Sequence, residues 1–259
     1  MRFLGFCLLF TFLLQFGWCD EFSDTLAKAE SGDVDAMILS AFRYASGRGV
    51  PKNDPKAMEW HLKAAEQGNA DGQLYAGLMY ADDRGIFKDD VKACEWLTKA
   101  AEQGEAIAQQ WLGFQYANGR GVPKNEVKAC EWYAKAAEQG DARSQYNLGL
   151  MYADGRGVPK DESKAFEWCS KAAEQRFPLA QYKLGTMYEK GQSVPVNYIQ
   201  AYAWVSNAMI NRCKTQAVKE TLELLTKSMT PEDISKAQTL ATELDERLKW
   251  PTLISKESE

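Results

Sequence analysis

Histidine is all but missing from this chain: His61 is the only one in 259 residues. A hydrolase would need a nucleophile beside a base, and neither His61 nor any serine at a recurring position supplies that pair. Cysteine is sparse as well. Two of the six lie within the first 19 residues, and the other four, Cys94, Cys130, Cys169 and Cys213, form no CxxC and no Cys/His cluster with metal-ligand spacing. No metal, cofactor or catalytic group is therefore expected. A basic excess is lacking too. With 31 Lys and Arg against 36 Asp and Glu the formal charge is -5, which argues against nucleic acid or an anionic membrane surface as the partner. Apolar residues are not scarce: 45% of the chain is hydrophobic and 12% aromatic, enough for a sizeable folded core.

The first residues are of a different kind from the rest. Arg2 precedes an apolar run from Phe3 to Phe16 broken only by Thr11 and Gln15, followed by Gly17-Trp18-Cys19 and the acidic Asp20-Glu21. A short charged start, a short apolar stretch and a small-residue cleavage region predict an export signal over residues 1–19, cut near Cys19, and a secreted or periplasmic protein. The alternative is an uncleaved anchor, the one case in which membrane association is expected. Trp18 argues against lipidation of Cys19, because lipoprotein signals place a small residue there.

What the chain has in abundance is repetition. KNEVKACEWYAKAAEQG at 124–140 returns as KNDPKAMEWHLKAAEQG at 52–68, KDDVKACEWLTKAAEQG at 88–104 and KDESKAFEWCSKAAEQR at 160–176. A fainter copy at 196–211 keeps the 36-residue phase. Counting each repeat from its leading residue as zero, five units occupy 32–67, 68–103, 104–139, 140–175 and 176–211. Such a period is the signature of a stacked-repeat architecture.

Each unit divides into two helical patterns around a glycine-rich middle. The first spans offsets 2 to 14. It carries small or apolar residues at offsets 4 and 8, glycine at offset 9 (Gly77, Gly113, Gly149, Gly185) and tyrosine at offset 12 in every copy. These positions share one side of a 3.6-residue helix and form the expected buried stripe. Glycine inside a helix costs about 1 kcal/mol relative to alanine, so its recurrence predicts close approach of another helix. The middle reads ASGRGVPKN (45–53), ANGRGVPKN (117–125) and ADGRGVPKD (153–161). Glycine ends the first helix, proline prevents its continuation, and Asn53, Asp89, Asn125, Asp161 and Asn197 cap the second. The Gly-x-Gly is thus a turn; as a phosphate loop it lacks a preceding strand and a third glycine.

The second helix sets alanines beside a tryptophan: Ala129, Trp132, Ala136 and Ala137 in the third copy. Trp60, Trp96, Trp132, Trp168 and Trp204 are read as core wedges rather than as a ligand-stacking ladder. Glu59/Lys63, Glu95/Lys99, Glu131/Lys135 and Glu167/Lys171 are solvated i, i+4 pairs. Cys94 and Cys130 occupy equivalent places in successive repeats, roughly 9–10 Å apart by helix-packing distances, too far for a disulfide. No disulfide is expected. His61 shares its position with Leu97, Tyr133, Cys169 and Val205, a set no catalytic role would tolerate.

The pattern A-x-x-x-L-G-x-x-Y-x-x-G-x-G-V-x-x-D/N-x-x-K-A-x-x-W-x-x-K-A-A-E-Q-G resembles the Sel-1-like repeat (SLR), a relative of the tetratricopeptide repeat, over residues 32–211. The resemblance implies an all-α fold, a right-handed α-solenoid of five 36-residue helix-turn-helix repeats, serving as an adaptor or ligand-binding scaffold. A cysteine-rich bacterial branch of the family, with a disulfide in each repeat, is linked to β-lactam binding. This chain lacks those paired cysteines. Residues 20–31, with LAKAES at 26–31, look like half of a second helix covering the first repeat. Residues 212–250 are expected to close the other end through two helices, the last opened by the capping box Thr230-Pro231-Glu232-Asp233, with Ile234, Ala237, Leu240, Ala241, Leu244 and Leu248 on one face and Lys236, Glu243, Asp245, Glu246 and Arg247 mainly elsewhere. Residues 251–259 form a tail.

Function is expected where the repeats differ. Offsets 3, 7, 11 and 14 of the first helix lie opposite the buried stripe and change chemistry from copy to copy. They supply the candidate partner-binding residues Tyr75, Met79, Trp111, Gln115, Asn147, Met151, Lys183 and Met187. The alternative is that Tyr75 and Trp111 pack against the next repeat. The leading functional reading is an exported, non-enzymatic scaffold holding a protein or peptide in the groove lined by first helices. The others are a small-ligand binder or hydrolase of the β-lactam-interacting kind, and an assembly or regulatory factor for a membrane-associated complex.

Overall fold

The computed structural model describes residues 22–82 and 88–249. The expected export signal and the 251–259 tail lie outside the described residues. Helices α1 (22–30), α2 (Val34–Ser46), α3 (Asp54–Glu66), α4 (Ala70–Ala81), α5 (Asp90–Glu102) and α6 (Ala106–Asn118) belong to one compact unit, residues 1–124. A second unit, residues 125–259, holds α7 (Glu126–Glu138), α8 (Ala142–Asp154), α9 (Glu162–Glu174), α10 (Pro178–Lys190), α11 (Tyr198–Ile210), α12 (Gln216–Lys227) and α13 (Pro231–Lys249). Among the described residues there is no strand. The fold class is the all-helical α-solenoid.

The helices begin and end where short-range chemistry dictates. Asn53, Asp89, Asn125, Asp161 and Asn197 each turn a side-chain oxygen onto backbone N–H groups in the first turn of the helix that follows, satisfying donors with no partner inside it. In the first helix of most repeats Gly47, Gly119, Gly155 and Gly191 close the last turn in the left-handed conformation. The second glycine of the GRGV loop serves a different need. A Cβ on Gly157 would fall on the carbonyl of Glu126, and one on Gly121 on that of Asp90, because the loop of one repeat lies against the start of the preceding second helix.

Within a repeat the two helices run antiparallel, as three levels of contact show. At the loop end, the N–H of Asn197 donates to the carbonyl of Tyr188 at 2.9 Å. At mid-height, a Cβ on Gly185 would stand 2.5 Å from Val205 Cγ2, and one on Gly149 2.7 Å from Cys169 Sγ. Glycine at offset 9 is thus offset by the close approach that its recurrence predicts. At the far end, Gln175 donates from Nε2 to Gln145 Oε1 at 2.8 Å and to the Gly140 carbonyl at 2.9 Å. Gln103 does the same toward Gln73 and Gly68.

Those glutamines join one repeat to the next. Gln73, Gln109, Gln145 and Gln181 are buried at offset 5, and each donates to a carbonyl near the end of the preceding second helix: Ala65, Ala101, Ala137 and Ala173. An amide that donates back to the preceding repeat and accepts from the second helix of its own leaves little of a buried polar group unsatisfied. The rest of the contact is apolar, with alanines at offsets 25, 32 and 33 wholly buried.

At the start of the array, α1 buries Phe22 and Ala29 in a core shared with Met37, Tyr44 and Trp60. At the end, α13 lays Ala241, Leu244 and Leu248 against Ala203 and Trp204. Its capping box forms, the N–H of Asp233 donating to Thr230 Oγ1 at 3.2 Å. Asp245, expected on the polar side of α13, is buried instead. An ion pair to Arg176 at 3.0 Å and another to Lys249 at 2.5 Å hold it there. The tryptophans are not uniformly core. Trp60 and Trp204 are buried, whereas Trp96, Trp132 and Trp168 are half-buried. Lys99, Lys135 and Lys171 place their ammonium groups 4.0–4.1 Å from the three ring centroids. The lysine stem covers the outer ring face and keeps its charge in water.

Candidate functional site

The variable surface of the first helices is exposed at offset 3 in all five repeats (Asp35, Asp71, Ile107, Arg143, Leu179) and at offset 14 (Ser46, Asp82, Asn118, Asp154, Lys190). Offset 7 is the partly covered middle of that surface. Tyr75, Trp111, Asn147 and Lys183 there are half-buried, and Leu39 is 45% exposed.

Offset 11 departs from expectation. Gln115, Met151 and Met187 retain only 1%, 2% and 1% of their surface, so they belong to the core and offer nothing to a partner. At 100° per residue offset 11 lies about 20° from offset 4, the near edge of the buried stripe, and shares its neighbours. Met79 is half-buried and packs against the cores around Trp60 and Met58. The position that joins the surface instead is offset 10: Phe42, 39% exposed, and half-buried Leu78, Phe114, Leu150 and Thr186. It is Phe or Leu in the first four copies and Thr in the fifth, and it falls about 20° from offset 3, a signal present in the sequence. The face is therefore built on offsets 3, 7 and 10, the i, i+4, i+7 row of a helix.

In the first unit this face is aromatic. Tyr75 stacks on His61 with centroids 5.0 Å apart and planes 23° apart, and meets the edge of Phe42 at 4.8 Å. Phe42 also touches His61 edge-on at 5.5 Å. Tyr75 thus packs on the preceding repeat while keeping part of its surface open. Trp111 meets Phe114 edge-on at 6.2 Å, and the Arg120 guanidinium lies 5.3 Å from the Phe114 centroid. Ile107, 50% exposed, continues the apolar surface. In the second unit the same row carries Arg143, Asn147, Leu150, Leu179, Lys183 and Thr186, a mainly polar and basic set.

Burial pushes the Tyr75 hydroxyl up from its ordinary value, and the carboxylates of Asp71 and Glu105 push it further. Burial holds His61 down at about 4, so at neutral pH it is an uncharged aromatic wall. Burial also raises the thiols of Cys94 and Cys169 to about 11. Thiols that remain protonated at neutral pH are poor nucleophiles. All four described cysteines are free and buried. Among the described residues no group of three His, Cys, Asp or Glu could hold a metal ion, and no helix is long and apolar enough to cross a membrane.

A constant core of caps, glycines and glutamines beneath one varying helix row defines a helical-repeat protein of the scaffold class. The chain belongs to the Sel1 repeat family: the Sel1 repeat model matches residues 34–69, 70–105, 106–141, 142–177 and 178–208. Sel1 repeat proteins generally mediate protein–protein interaction. Among solved structures, the chain is similar to a protective antigen present in uropathogenic Escherichia coli strains displaying an SLR fold. Identity is 35% and the TM-score 0.81, over 91% of this chain and 51% of that one, so the chain spans about half the length of that relative. It is also similar to a Sel1 repeat protein from Oxalobacter formigenes, with 31% identity and a TM-score of 0.71 over 86% of this chain and 96% of that one. A comparison with functionally curated proteins finds no match.

Proposed function

We propose that this protein is an exported, non-enzymatic scaffold that binds another protein through the row of first-helix residues at offsets 3, 7 and 10. One observation carries the reading. The positions that hold repeats together are the same in nearly every copy, and the exposed row differs in every copy, as expected of a surface shaped by a partner rather than by folding. Tyr75 and Trp111 are the anchors in the first unit, with half-buried Met79 one turn beyond Tyr75 on α4. Asn147 and Lys183 are their counterparts in the second. Large aromatic rings already held by neighbours lose little freedom on binding, which favours them as anchors. Export is supported by the pattern of residues 1–19 and by the description of the E. coli relative as a protective antigen.

The test is crosslinking in living cells of the source organism, comparing the intact protein with a Tyr75→Ala/Trp111→Ala variant of unchanged helicity. Loss of one crosslinked protein with the variant is expected; equal recovery would sink the assignment of this face. N-terminal sequencing of the protein from the same cells checks export, since a start near Asp20 is expected.

A further inference from the structure

The partner's chemistry follows from the charges around the aromatic face of the first unit, and the inference rests on that face being the binding surface. Asp71 stands one helical turn before Tyr75 on the exposed row of α4, and Glu105 opens α6, the first helix of the next repeat; both carboxylates push the Tyr75 hydroxyl up. Among the described residues neither is joined to a cation. Glu105 occupies the position before α6 where Asp33, Asn69 and Asp141 cap their helices through the side chain, yet its own side chain makes no capping bond. Its carboxylate is left for another role. Asp35, exposed one repeat earlier, adds a third negative charge to the same row. The surface between these acids is apolar: Leu39, Phe42 and Ile107 are 45%, 39% and 50% exposed beside Tyr75 and Trp111.

We infer that this face takes an extended polypeptide segment in which lysine or arginine stands beside aromatic or aliphatic residues, the cation lying between Asp71 and Glu105 at the ring of Tyr75. Two unpaired carboxylates next to an aromatic ring favour a cation through both Coulomb attraction and the ring quadrupole. The same surface repels an acidic segment. The apolar side chains of the partner would cover Phe42 and Trp111, removing from water the area that the free protein exposes.

The test is selection of a displayed random-peptide library on the full chain, run in parallel on Asp71→Asn/Glu105→Gln and on Trp111→Ala. Peptides pairing Lys or Arg with an aromatic or aliphatic residue are expected from the intact protein. Fluorescence anisotropy of those peptides should show binding that weakens with salt, by on the order of tenfold with the neutralised pair and by about thirtyfold or more with Trp111→Ala. Enriched peptides that need Trp111 but show no basic residues, or bind the neutralised pair equally well, would overturn the cationic partner and leave the face assignment standing. Enrichment indifferent to Trp111 would overturn the face assignment itself. Sedimentation velocity covers the remaining occupant: self-association abolished by Trp111→Ala would make the partner a second copy of this chain and overturn the proposal.

Discussion

Arg176 Nη1 lies 3.0 Å from Asp245 Oδ1, joining the residue that opens the last repeat to the helix that closes the array. The same nitrogen donates to the Asp245 carbonyl at 3.1 Å, and Nη2 donates to Asn211 Oδ1 at 2.5 Å. The four earlier repeats carry glycine here, and Arg176 adopts the positive φ of 62° that suits glycine. Its side chain thus holds α13 at some backbone cost.

Arg176→Ala is expected to destabilise the second unit by about 2 kcal/mol, since it strips a buried carboxylate of one partner and keeps the unfavourable φ. Arg176→Gly should cost roughly 1 kcal/mol less by relieving that φ. Urea denaturation measures both, and hydrogen exchange should show protection falling first in α13. Equal stability of Arg176→Ala and the parent would refute the tie.

Gly185→Ala should lower stability by about 2 kcal/mol even though alanine is the better helix former by about 1 kcal/mol. The new methyl would meet Val205 Cγ2 and, at 2.9 Å, the Ala201 carbonyl. Adding Val205→Ala should recover part of the loss, and a double-mutant cycle by thermal unfolding reads the coupling. Additive effects would contradict the contact.

Gln175→Ala removes the donor to Gln145 Oε1 and to the Gly140 carbonyl. A loss of about 1–3 kcal/mol is expected, because an acceptor in a 5% exposed side chain is left unpaired. Gln175→Glu should be at least as harmful near neutral pH, where a carboxylate faces two acceptors. Denaturant melts that rank Glu as the milder change would argue against the bond.

His61 gives the protein an acid sensitivity with a defined window. Its folded value, about 4 against an ordinary 6.5, means that the unfolded chain binds the proton more readily. Stability is therefore full above pH 6.5 and falls as pH drops from 6.5 toward 4, by up to about 3 kcal/mol. His61→Leu, the residue of the next repeat at this position, should remove most of that slope. The check is melting temperature from pH 7 to pH 4 for both proteins; parallel curves would assign the acid sensitivity elsewhere.

The helices and their caps were legible in the sequence because the interactions that set them are local: an Asn or Asp at a fixed place, a glycine after the last turn, a proline in the loop. Glycine at offset 9 was legible because it recurs against its own propensity. The candidate face was legible to within one turn. Offset 11 sits at the border of the stripe, where 100° per residue leaves the choice of side to the neighbouring helix, and that helix covers Gln115, Met151 and Met187. Offset 10 took its place. The glutamine at offset 5 was hidden for another reason. A polar residue reads as surface unless its partners are known, and those partners are carbonyls of the preceding repeat. Asp245 was misplaced in the same way, since Arg176, which holds it, lies 69 residues away in the chain.

The glutamine joint has an evolutionary corollary. Its acceptors are main-chain carbonyls and its donors are the same amide in nearly every copy, so the joint does not record which repeats it connects. A duplicated block of 36 residues brings its own forward and backward bonds, and the array can lengthen without a new interface being invented. Such growth is confined to positions upstream of Arg176, where glycine gives way to a side chain that recognises the cap. Diversity in reach is cheap for this architecture, and the terminus is where its grammar demands a full stop.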